Sequence, residues 1–394
     1  MTHTQITSIT GKLLIALALM TGVSAFAQVP RSHHVYIVAE ENRSYERIIG
    51  SASLPYLNSL INKGALATQF YANQHGSLEN YFYVTAGQKI TDNNSTTAVF
   101  DVDNIERHLL AKGETFKSYA QTLPYAGYTG LYYNAYLKRH APLIYFTDMA
   151  NSSLKFDHVS STQMAKDIAS GTLPNFAFIT PDADHDMHNC GTDLGACFWT
   201  ADQWLKYNIG PLLATAPFQP GGDGLLIIWT DEADLNTDNR CSATVLTGCG
   251  GHIVVAMYGP QVKAGYKSVT TYHHPSVLKT MLEALGETST FPAAAQTAPD
   301  MREFFKSSAT GSVTISSPTT STVTGPGVPA AASASAANPI TFMRLYVDNV
   351  SVYSTSASSF STTMNMTTGT HSMIFQAWDT AGNVYKAAKT VTVQ

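Results

Sequence analysis

The chain has 394 residues, of which 44% are hydrophobic and 13% are charged, and its formal net charge is -5. This length favours one large domain with a smaller one beside it, and the hydrophobic content is sufficient for a substantial core. No run of basic residues stands out, which argues against a nucleic-acid partner.

The first 27 residues have the pattern of a signal peptide. Lys12 supplies a positive charge, residues 13–23 form a short apolar stretch, and residues 24–27 end in an A-x-A cleavage pattern. A membrane anchor is the alternative, but the apolar stretch is short for a span. We therefore expect a secreted or periplasmic protein, cleaved near Ala27, with no stable membrane span.

Apolar strands alternate with helical segments between residues 33 and 285. Strands are predicted at 33–40, 65–71, 175–180, 224–230 and 252–258, and helices at 56–64, 78–85, 104–112, 115–122, 199–213 and 275–285. The alternation predicts an α/β fold with a mostly parallel sheet flanked by helices. In such sheets ligands bind beyond the carboxyl ends of the strands.

The composition changes near Lys306. Residues 307–338 are rich in Ser, Thr, Ala, Pro and Gly, and short alternating segments with turn residues between them follow. This pattern predicts a β-sandwich, whereas a disordered tail to about residue 338 would leave too few strands for one. The predicted division is a signal peptide (1–27), a large α/β domain (28–305), a linker (306–310) and an Ig-like β-sandwich (311–394).

The aromatic residues of the C-terminal module are expected to lie in its core. They are Tyr346, Tyr353, Phe360, Phe375 and Trp378. A contact with a cell surface or a glycan through this module is the alternative that the sequence leaves open.

The four cysteines fall into two close pairs, Cys190 with Cys197 and Cys241 with Cys249. An exported chain permits disulfides, and neither pair has the C-x-x-C spacing that is typical of zinc sites. We therefore predict two disulfides that each close a short loop.

Two polar segments follow predicted strands in the first quarter of the chain. Glu41 and Asn42 offer hard oxygen ligands for a divalent cation, although a solvated strand end is the simpler interpretation of these two residues alone. In HGSLENY (75–81), Ser77 opens a helix after a glycine turn and Asn80 lies on the same face. That arrangement suits a nucleophile beside a phosphate-binding group, and an ordinary serine N-cap fits the sequence equally well.

Further polar segments follow later strands. DADHDMH (182–188) contains three carboxylates and two imidazoles in seven residues, a mixture that suits borderline metals, with a polar loop as the alternative. Asp231 and Glu232 follow a very apolar strand, and adjacent carboxylates repel unless a cation or a proton lies between them. His274 opens the last helix as a metal ligand or proton donor. His252 is a weaker candidate, for which a structural role fits equally well.

These segments resemble, in the same order, the motifs of a bacterial phosphoesterase family. ENRSY (41–45) resembles E-N-R-S-F, HGSLENY resembles H-P-S-L-P-N-Y, DMH (186–188) resembles the end of N-D-M-H, DEA (231–233) matches D-E-A/S, and YHHPSVL (272–278) resembles Y-x-H-P-S-L-L. The family includes non-haemolytic phospholipases C and certain acid phosphatases, and it belongs to the alkaline-phosphatase-like superfamily. The resemblance covers about residues 33–290, and it implies that the domain at 28–305 is a phosphoesterase catalytic domain.

The resemblance implies a metal site made of Glu41, Asn42, Ser77, Asp231 and Glu232. It also implies that Ser77 is the nucleophile that attacks phosphorus.

Further roles are implied for the remaining motif residues. Asn80 would bind phosphate, and His188 and His274 would be ligands of a second metal or proton donors. Asp184 and His188 have the D-x-x-x-H spacing that other superfamily members use for a second metal. The sequence does not decide between Asp184 and Asp186.

The chain departs from the family pattern at three positions. Gly76 and Glu79 replace the two prolines of the second motif, and His185 stands where the family often has asparagine. A changed residue beside the phosphate pocket leaves the substrate preference open.

The resulting expectation is an exported, metal-dependent phosphoesterase that acts through a phosphoserine intermediate on Ser77. Zinc, manganese, calcium and iron all suit oxygen and imidazole ligands. A small phosphomonoester is the expected substrate, because the catalytic domain leaves little room for a lid. A phospholipase C that cleaves a phospholipid head group is the alternative. A non-catalytic cell-surface binding protein is the alternative of another class, and it predicts neither bound metal nor hydrolysis.

Overall fold

The computed structural model describes residues 28–234, 249–306 and 311–394, apart from residues 337, 349, 381 and 382. The predicted signal peptide lies outside these ranges, as do Cys241 and residues 307–310 of the predicted linker. Within them, no helix is long and apolar enough to cross a membrane.

Helices and short strands alternate over the first two described ranges. The helices are α1 (Tyr45–Ile48), α2 (Pro55–Lys63), α3 (Ser77–Ala86), α4 (Ile105–Lys112), α5 (Thr147–Ala150), α6 (Thr162–Ser170), α7 (Leu194–Leu213) and α8 (His274–Ala284). The strands are β1 (Val35–Glu40), β2 (Ala65–Ala67), β3 (Phe116–Ala120), β4 (Tyr132–Tyr133), β5 (Tyr136–Leu137), β6 (His158–Ser160), β7 (Phe176–Thr180), β8 (Leu225–Thr230), β9 (Val255–Tyr258) and β10 (Tyr266–Ser268).

Among the described residues after 310, the regular elements are all strands. They are β11 (Gly311–Ser317), β12 (Thr322–Val323), β13 (Gly327–Ala336), β14 (Ile340–Val347), β15 (Val350–Thr355), β16 (Ser359–Asn365), β17 (Gly369–Asp379) and β18 (Val384–Val393).

β1 lies inside a sheet of eight strands whose order is β10-β2-β9-β8-β1-β7-β3-β6. β9 runs antiparallel to both of its neighbours, and all other neighbouring strands in the sheet are parallel. The predicted α/β class with a mostly parallel sheet is therefore confirmed. The carboxyl ends of β7, β1 and β8 meet at one edge of the sheet, which is where a ligand is expected.

Helices cover both faces of this sheet. Val35 and Ile37 pack with α3, α4 and α8 on one face, whereas Tyr36 and Val38 pack with α2, α6 and α7 on the other. This division follows from the alternation of side chains along a strand. Every residue of β1 is buried, as expected for an inner parallel strand with helices on both sides.

One predicted helix is wrong, because residues 115–122 contain strand β3. This strand pairs in parallel with β7 and β6. Lys117 Nζ and the Tyr119 hydroxyl donate to Asp167 of α6 at 2.7 and 2.6 Å, so two residues of one strand face share a partner. Pairing with two strands that are distant in sequence decides the conformation of this short segment.

The C-terminal strands form two sheets, β11-β13-β16 and β12-β18-β17-β14-β15. Alternate side chains of both sheets, among them Val328, Met343 and Phe375, enclose a shared core, which is the architecture of a β-sandwich. Phe360 and Phe375 lie in this core as predicted. The core prediction is wrong for Tyr346 and Trp378, which flank the Arg344 guanidinium on the outer face.

Cys190 and Cys197 form the first predicted disulfide, with an S–S distance of 2.04 Å and a Cα separation of 5.0 Å. This bond joins the segment after His188 to the first turn of α7. The second predicted pair includes Cys241, which lies outside the described residues.

Candidate active site at the carboxyl edge of the central strands

Glu41 directly follows β1 and is fully buried at the carboxyl edge of the sheet. Helix α3 packs against one face of the sheet, and its first two turns contact the Glu41 carboxylate. The Ser77 hydroxyl donates to Glu41 Oε2 at 3.0 Å, and the Tyr81 hydroxyl donates to Glu41 Oε1 at 2.5 Å. The fold therefore brings a candidate metal ligand into direct contact with the candidate nucleophile.

Ser77 is the first residue of α3, and its preceding turn depends on glycine. Gly76 has φ 125° and ψ 112°, a conformation that residues with a Cβ atom rarely adopt. The turn points the Ser77 hydroxyl toward Glu41 at the amino end of the helix. Positive charge from the helix dipole favours an anion at this position.

Asn80 is fully buried one turn after the nucleophile, but its amide group is already engaged. Its Oδ1 accepts a hydrogen bond from the Gln74 amide at 3.1 Å, and its Nδ2 donates to the Gln74 carbonyl at 2.8 Å. In this structure Asn80 therefore braces the turn before Ser77 instead of pointing a free donor at a phosphate.

Asp231 and Glu232 follow β8, directly beside β1. Asp231 Oδ1 accepts from the Asn42 amide at 2.8 Å, while Oδ2 is buried without a hydrogen-bond partner among the described residues. Glu232 Oε2 accepts from the Gly76 amide at 3.0 Å and lies 2.8 Å from His75 Nδ1. Glu232 thus ties the end of β8 to the turn that presents the nucleophile.

His140, which the sequence analysis missed, is fully buried between two carboxylates. Its Nδ1 lies 3.0 Å from Asp186 Oδ2, and its Nε2 lies 3.3 Å from Glu41 Oε1 without a hydrogen-bond geometry. Burial lowers the pKa of His140 well below its usual value, which favours a neutral ring. Glu41, His140 and His188 each offer a ligand atom within 4.8 Å of the others.

Of Asp184 and Asp186, the structure brings only Asp186 to this group. Asp186 is fully buried and accepts from the His188 amide at 2.8 Å as well as contacting His140. Asp184 is exposed, and its Oδ1 accepts from Asn189 Nδ2 at 3.0 Å.

His274 is near the site, but both of its ring nitrogens are already occupied. Trp229 Nε1 donates to His274 Nδ1 at 2.9 Å, which leaves Nε2 to donate to the Asp231 carbonyl at 3.0 Å. Burial lowers the pKa of His274 to about 3, so the ring stays neutral. His274 therefore positions the Asp231 backbone and does not reach the carboxylate cluster.

Arg139 is a second residue that the sequence analysis missed. Its Nη2 lies 3.3 Å from His188 Nε2, and no ion pair joins it to a carboxylate among the described residues. Burial, with help from the Arg139 and Arg43 charges, lowers the pKa of His188. A half-buried guanidinium at this position supplies positive charge beside the cluster.

Sequence patterns gave little signal for Arg139 and His140. They lie in the long segment between β3 and β7, to which no element was assigned, and they belong to none of the motifs. The buried run PLIYF (142–146) that follows His140 was the one available sign that this loop enters the core.

The residues present fit a divalent cation. Burial, Asp186 and Glu232 raise the pKa of Glu41, and burial, Glu41 and Glu232 raise the pKa of Asp231. These shifts show that buried carboxylates repel one another when no cation lies among them. The unpaired Asp231 Oδ2 and His140 Nε2 are further donor atoms that a cation would satisfy.

The chain resembles known phosphoesterases in sequence. Residues 51–286 match the sequence model of the Phosphoesterase family. A phosphatidylinositol-3-phosphatase from Mycobacterium tuberculosis is 31% identical over 284 residues, which cover 70% of this chain and 86% of that protein. An acid phosphatase from Aspergillus fumigatus is 29% identical and matches over 60% of this chain but only 51% of its own length.

A solved structure agrees with the fold alone. The lipoteichoic acid synthase LtaP from Listeria monocytogenes superposes with a TM-score of 0.50 at 12% identity, covering 73% of this chain and 79% of its own. Since the family match spans more than half of the sequence, the chain belongs to the Phosphoesterase family and is a phosphoric ester hydrolase.

Proposed function

We propose that this protein is a metal-dependent phosphomonoesterase in which Ser77 attacks phosphorus and forms a phosphoserine intermediate. The contact between the Ser77 hydroxyl and the buried Glu41 carboxylate carries this proposal. A serine at a helix amino end, facing a cluster of carboxylates, combines a nucleophile with a site that favours a developing negative charge.

The cation beside Ser77 would be held by Glu41, Asn42, Asp231 and Glu232, with His140 available on the other side of Glu41. The bound cation would activate the serine hydroxyl and stabilise charge on the phosphoryl oxygens. Which of zinc, manganese, calcium or iron binds is left to a metal analysis of the purified protein.

The chain's own residues supply orientation and proton transfer. Gly76 and Glu232 fix the turn that presents Ser77, and Tyr81 holds the Glu41 carboxylate. Of the two predicted proton donors, His188 supports the role better, because it lies at the cluster and is only partly buried. It would protonate the leaving oxygen and then accept a proton from the water that releases phosphate.

A monoester is favoured over a diester. The relatives from Mycobacterium tuberculosis and Aspergillus fumigatus are both named as phosphatases, and Arg139 adds positive charge that suits a doubly charged phosphoryl group. The protein would be exported to the periplasm or secreted from the cell, because its N-terminal sequence has the pattern of a signal peptide.

Replacement of the nucleophile tests this function. Ser77→Ala is expected to lower kcat for p-nitrophenyl phosphate by at least about a thousandfold and to abolish labelling of the protein by radioactive substrate. Ser276→Ala is the matched control, because Ser276 is another buried motif serine at the start of a helix. It should keep most of the activity.

Two results would contradict the proposal. The first is near-normal turnover by Ser77→Ala with an unchanged circular dichroism spectrum. The second is a wild-type activity that does not depend on metal. This would be seen as full activity after a chelator has removed the metal, or as no activity in the metal-loaded protein. A faster reaction with p-nitrophenyl phosphorylcholine than with p-nitrophenyl phosphate would assign the protein to the diesterases.

A further inference from the structure

Five tyrosines gather on the segment between β3 and His140. We call them the tyrosine ledge; its members are Tyr125, Tyr128, Tyr132, Tyr133 and Tyr136. Three of these side chains are largely open to solvent, with exposures of 65% for Tyr125, 71% for Tyr132 and 46% for Tyr133. The rings of Tyr125, Tyr133 and Tyr136 each meet the Tyr128 ring edge to face, with centroids 5.4 to 6.4 Å apart. Single exposed aromatic residues are common, but a contiguous group of this size marks an interaction site.

The ledge is held in place by contacts beneath it. Tyr136 is buried and its hydroxyl lies 3.1 Å from His158 Nε2. Tyr128 donates to the Tyr132 carbonyl at 2.8 Å, and its ring crosses Gly130 so closely that a Cβ atom there would lie 2.1 Å from the hydroxyl oxygen. The exposed rings therefore present a fixed surface.

The ledge is connected to the active site through the backbone. The tip of its β4–β5 hairpin is joined to the loop 182–188 by a hydrogen bond from the Ala183 amide to the Ala135 carbonyl at 3.0 Å. After β5 the chain passes through Arg139, beside His188, and reaches His140 between Glu41 and Asp186. His140 comes seven positions after Tyr133 in the sequence, which limits the distance between their Cα atoms to about 25 Å.

We propose that the tyrosine ledge binds the alcohol part of the substrate and selects phosphate esters whose leaving group carries a ring. This inference rests on the proposed phosphomonoesterase function. Tyrosine rings offer apolar faces for stacking and hydroxyls for hydrogen bonds, which suits an aryl or polyhydroxylated ring better than a short aliphatic alcohol. The phosphoryl group would lie at Ser77, and the ring would extend toward the hairpin.

Two phosphonates that are not hydrolysed test the ledge directly. They are phenylphosphonate, which carries a ring, and methylphosphonate, which does not. Inhibition constants are measured on the metal-loaded wild type and on the double variant Tyr132→Ala/Tyr133→Ala. Phenylphosphonate binding should weaken about tenfold in the variant, while methylphosphonate binding should change less than twofold. Tyr207→Ala removes a tyrosine that is 70% exposed on α7, and it should change neither constant.

The two proposals fail separately. Equal weakening of both phosphonates, or no change in either, would overturn the ledge as a binding surface for the leaving group. The ledge proposal would also be overturned if the double variant lost binding to phosphatidylcholine vesicles while its inhibition by the phosphonates stayed unchanged. The ledge would then be a membrane contact. If Ser77→Ala kept its activity, the proposed mechanism would fail, but calorimetric binding of the two phosphonates would still decide the role of the ledge.

Discussion

His140 contacts two carboxylates from different strand ends, Glu41 after β1 and Asp186 after β7. A histidine whose one nitrogen is held by a carboxylate directs its other nitrogen, and such pairs are common among metal ligands. The Nδ1 contact with Asp186 leaves Nε2 directed toward Glu41, at 3.3 Å. Since no hydrogen bond forms at Nε2 within the described residues, this atom is available to bind a cation.

Loss of this ligand should weaken the metal site. His140→Ala is expected to lower the affinity for the divalent cation by about 10- to 100-fold, measured by competition with a chromogenic chelator. His252→Ala is the control, since that ring stacks between Tyr45 and Tyr71 away from the cluster. Equal metal affinity in both variants would show that His140 has a packing role only.

At the scale of single residues, the sequence could predict only those that belong to motifs. Glu41, Ser77 and Asp231 lie where strand ends and a helix start converge, as the motif order implied. His140 and Arg139 lie in a loop without periodicity, and only tertiary packing brings them to the site. His274 was recognisable as a motif residue, but its hydrogen bonds to Trp229 and to a carbonyl were not.

At the scale of elements, α3 depends on the turn that precedes it. Gly76 occupies a position where the family motif has proline, yet its φ of 125° is far from the value near -65° that a proline ring imposes. The Gly76 amide also donates to Glu232, and proline has no such donor. The turn in this chain therefore differs from one that a proline could form.

Restoring the family residue should therefore be harmful. Gly76→Pro is expected to lower kcat at least tenfold and to lower the melting temperature, because it displaces Ser77 and breaks the contact with Glu232. Glu79→Pro restores the other family proline within the first turn of α3, where proline is tolerated. Phosphatase assays and thermal melts of both variants decide this, and equal effects would contradict our account of the turn.

Elements with a strong apolar pattern were predictable from the sequence, whereas short elements of mixed polarity were not. β1 and β8 are continuous apolar runs between turn residues, so their assignment needed no tertiary information. β3 has five residues with mixed polarity, and its pattern fits a helix turn as well as a strand. Its partners β7 and β6 lie about 40 to 60 residues away in sequence, and this pairing was not visible in the local pattern.

At the scale of the whole molecule, two glutamates near the end of α8 give opposite contributions to stability. Burial, together with the Asp300 charge, raises the pKa of Glu283 to about 7. For Glu287 burial also acts to raise the pKa, but hydrogen bonds from the Thr288 amide and His108 prevail and lower it to about 2. The native state therefore retains a proton on Glu283 and loses one from Glu287 more readily than the unfolded chain does.

These shifts predict opposite pH dependences. The contribution of Glu283 to wild-type stability should fall as the pH rises from about 4.5 to about 7, because native Glu283 holds its proton longer than the unfolded chain does. Glu283→Gln removes this loss, so its melting temperature should exceed that of wild type by a few degrees at pH 8 and should match it near pH 4. Thermal melts across this pH range, on the protein without added metal, measure the difference.

Glu287→Gln is the matched comparison and has the opposite sign. The low native pKa of Glu287 contributes stability above about pH 4.5 that is lost as the pH falls toward 2. The variant should therefore melt below wild type at pH 7, and the two should converge near pH 2. Identical pH profiles for the two glutamine variants would show that these local environments do not govern stability.

The central strand has a consequence for how insertions in this family would act. Glu40 and Glu41 are adjacent and chemically identical, yet β1 directs Glu40 toward α7, where Asp202 contributes to the rise in its pKa, and Glu41 toward Ser77. Their roles are set by the parity of their position along the strand and not by their identity. Inserting or deleting one residue in β1 would turn the side chains that follow it to the opposite face of the sheet, while leaving the composition almost unchanged. Insertions or deletions of an odd number of residues in this strand should therefore abolish activity, even where every motif residue is kept.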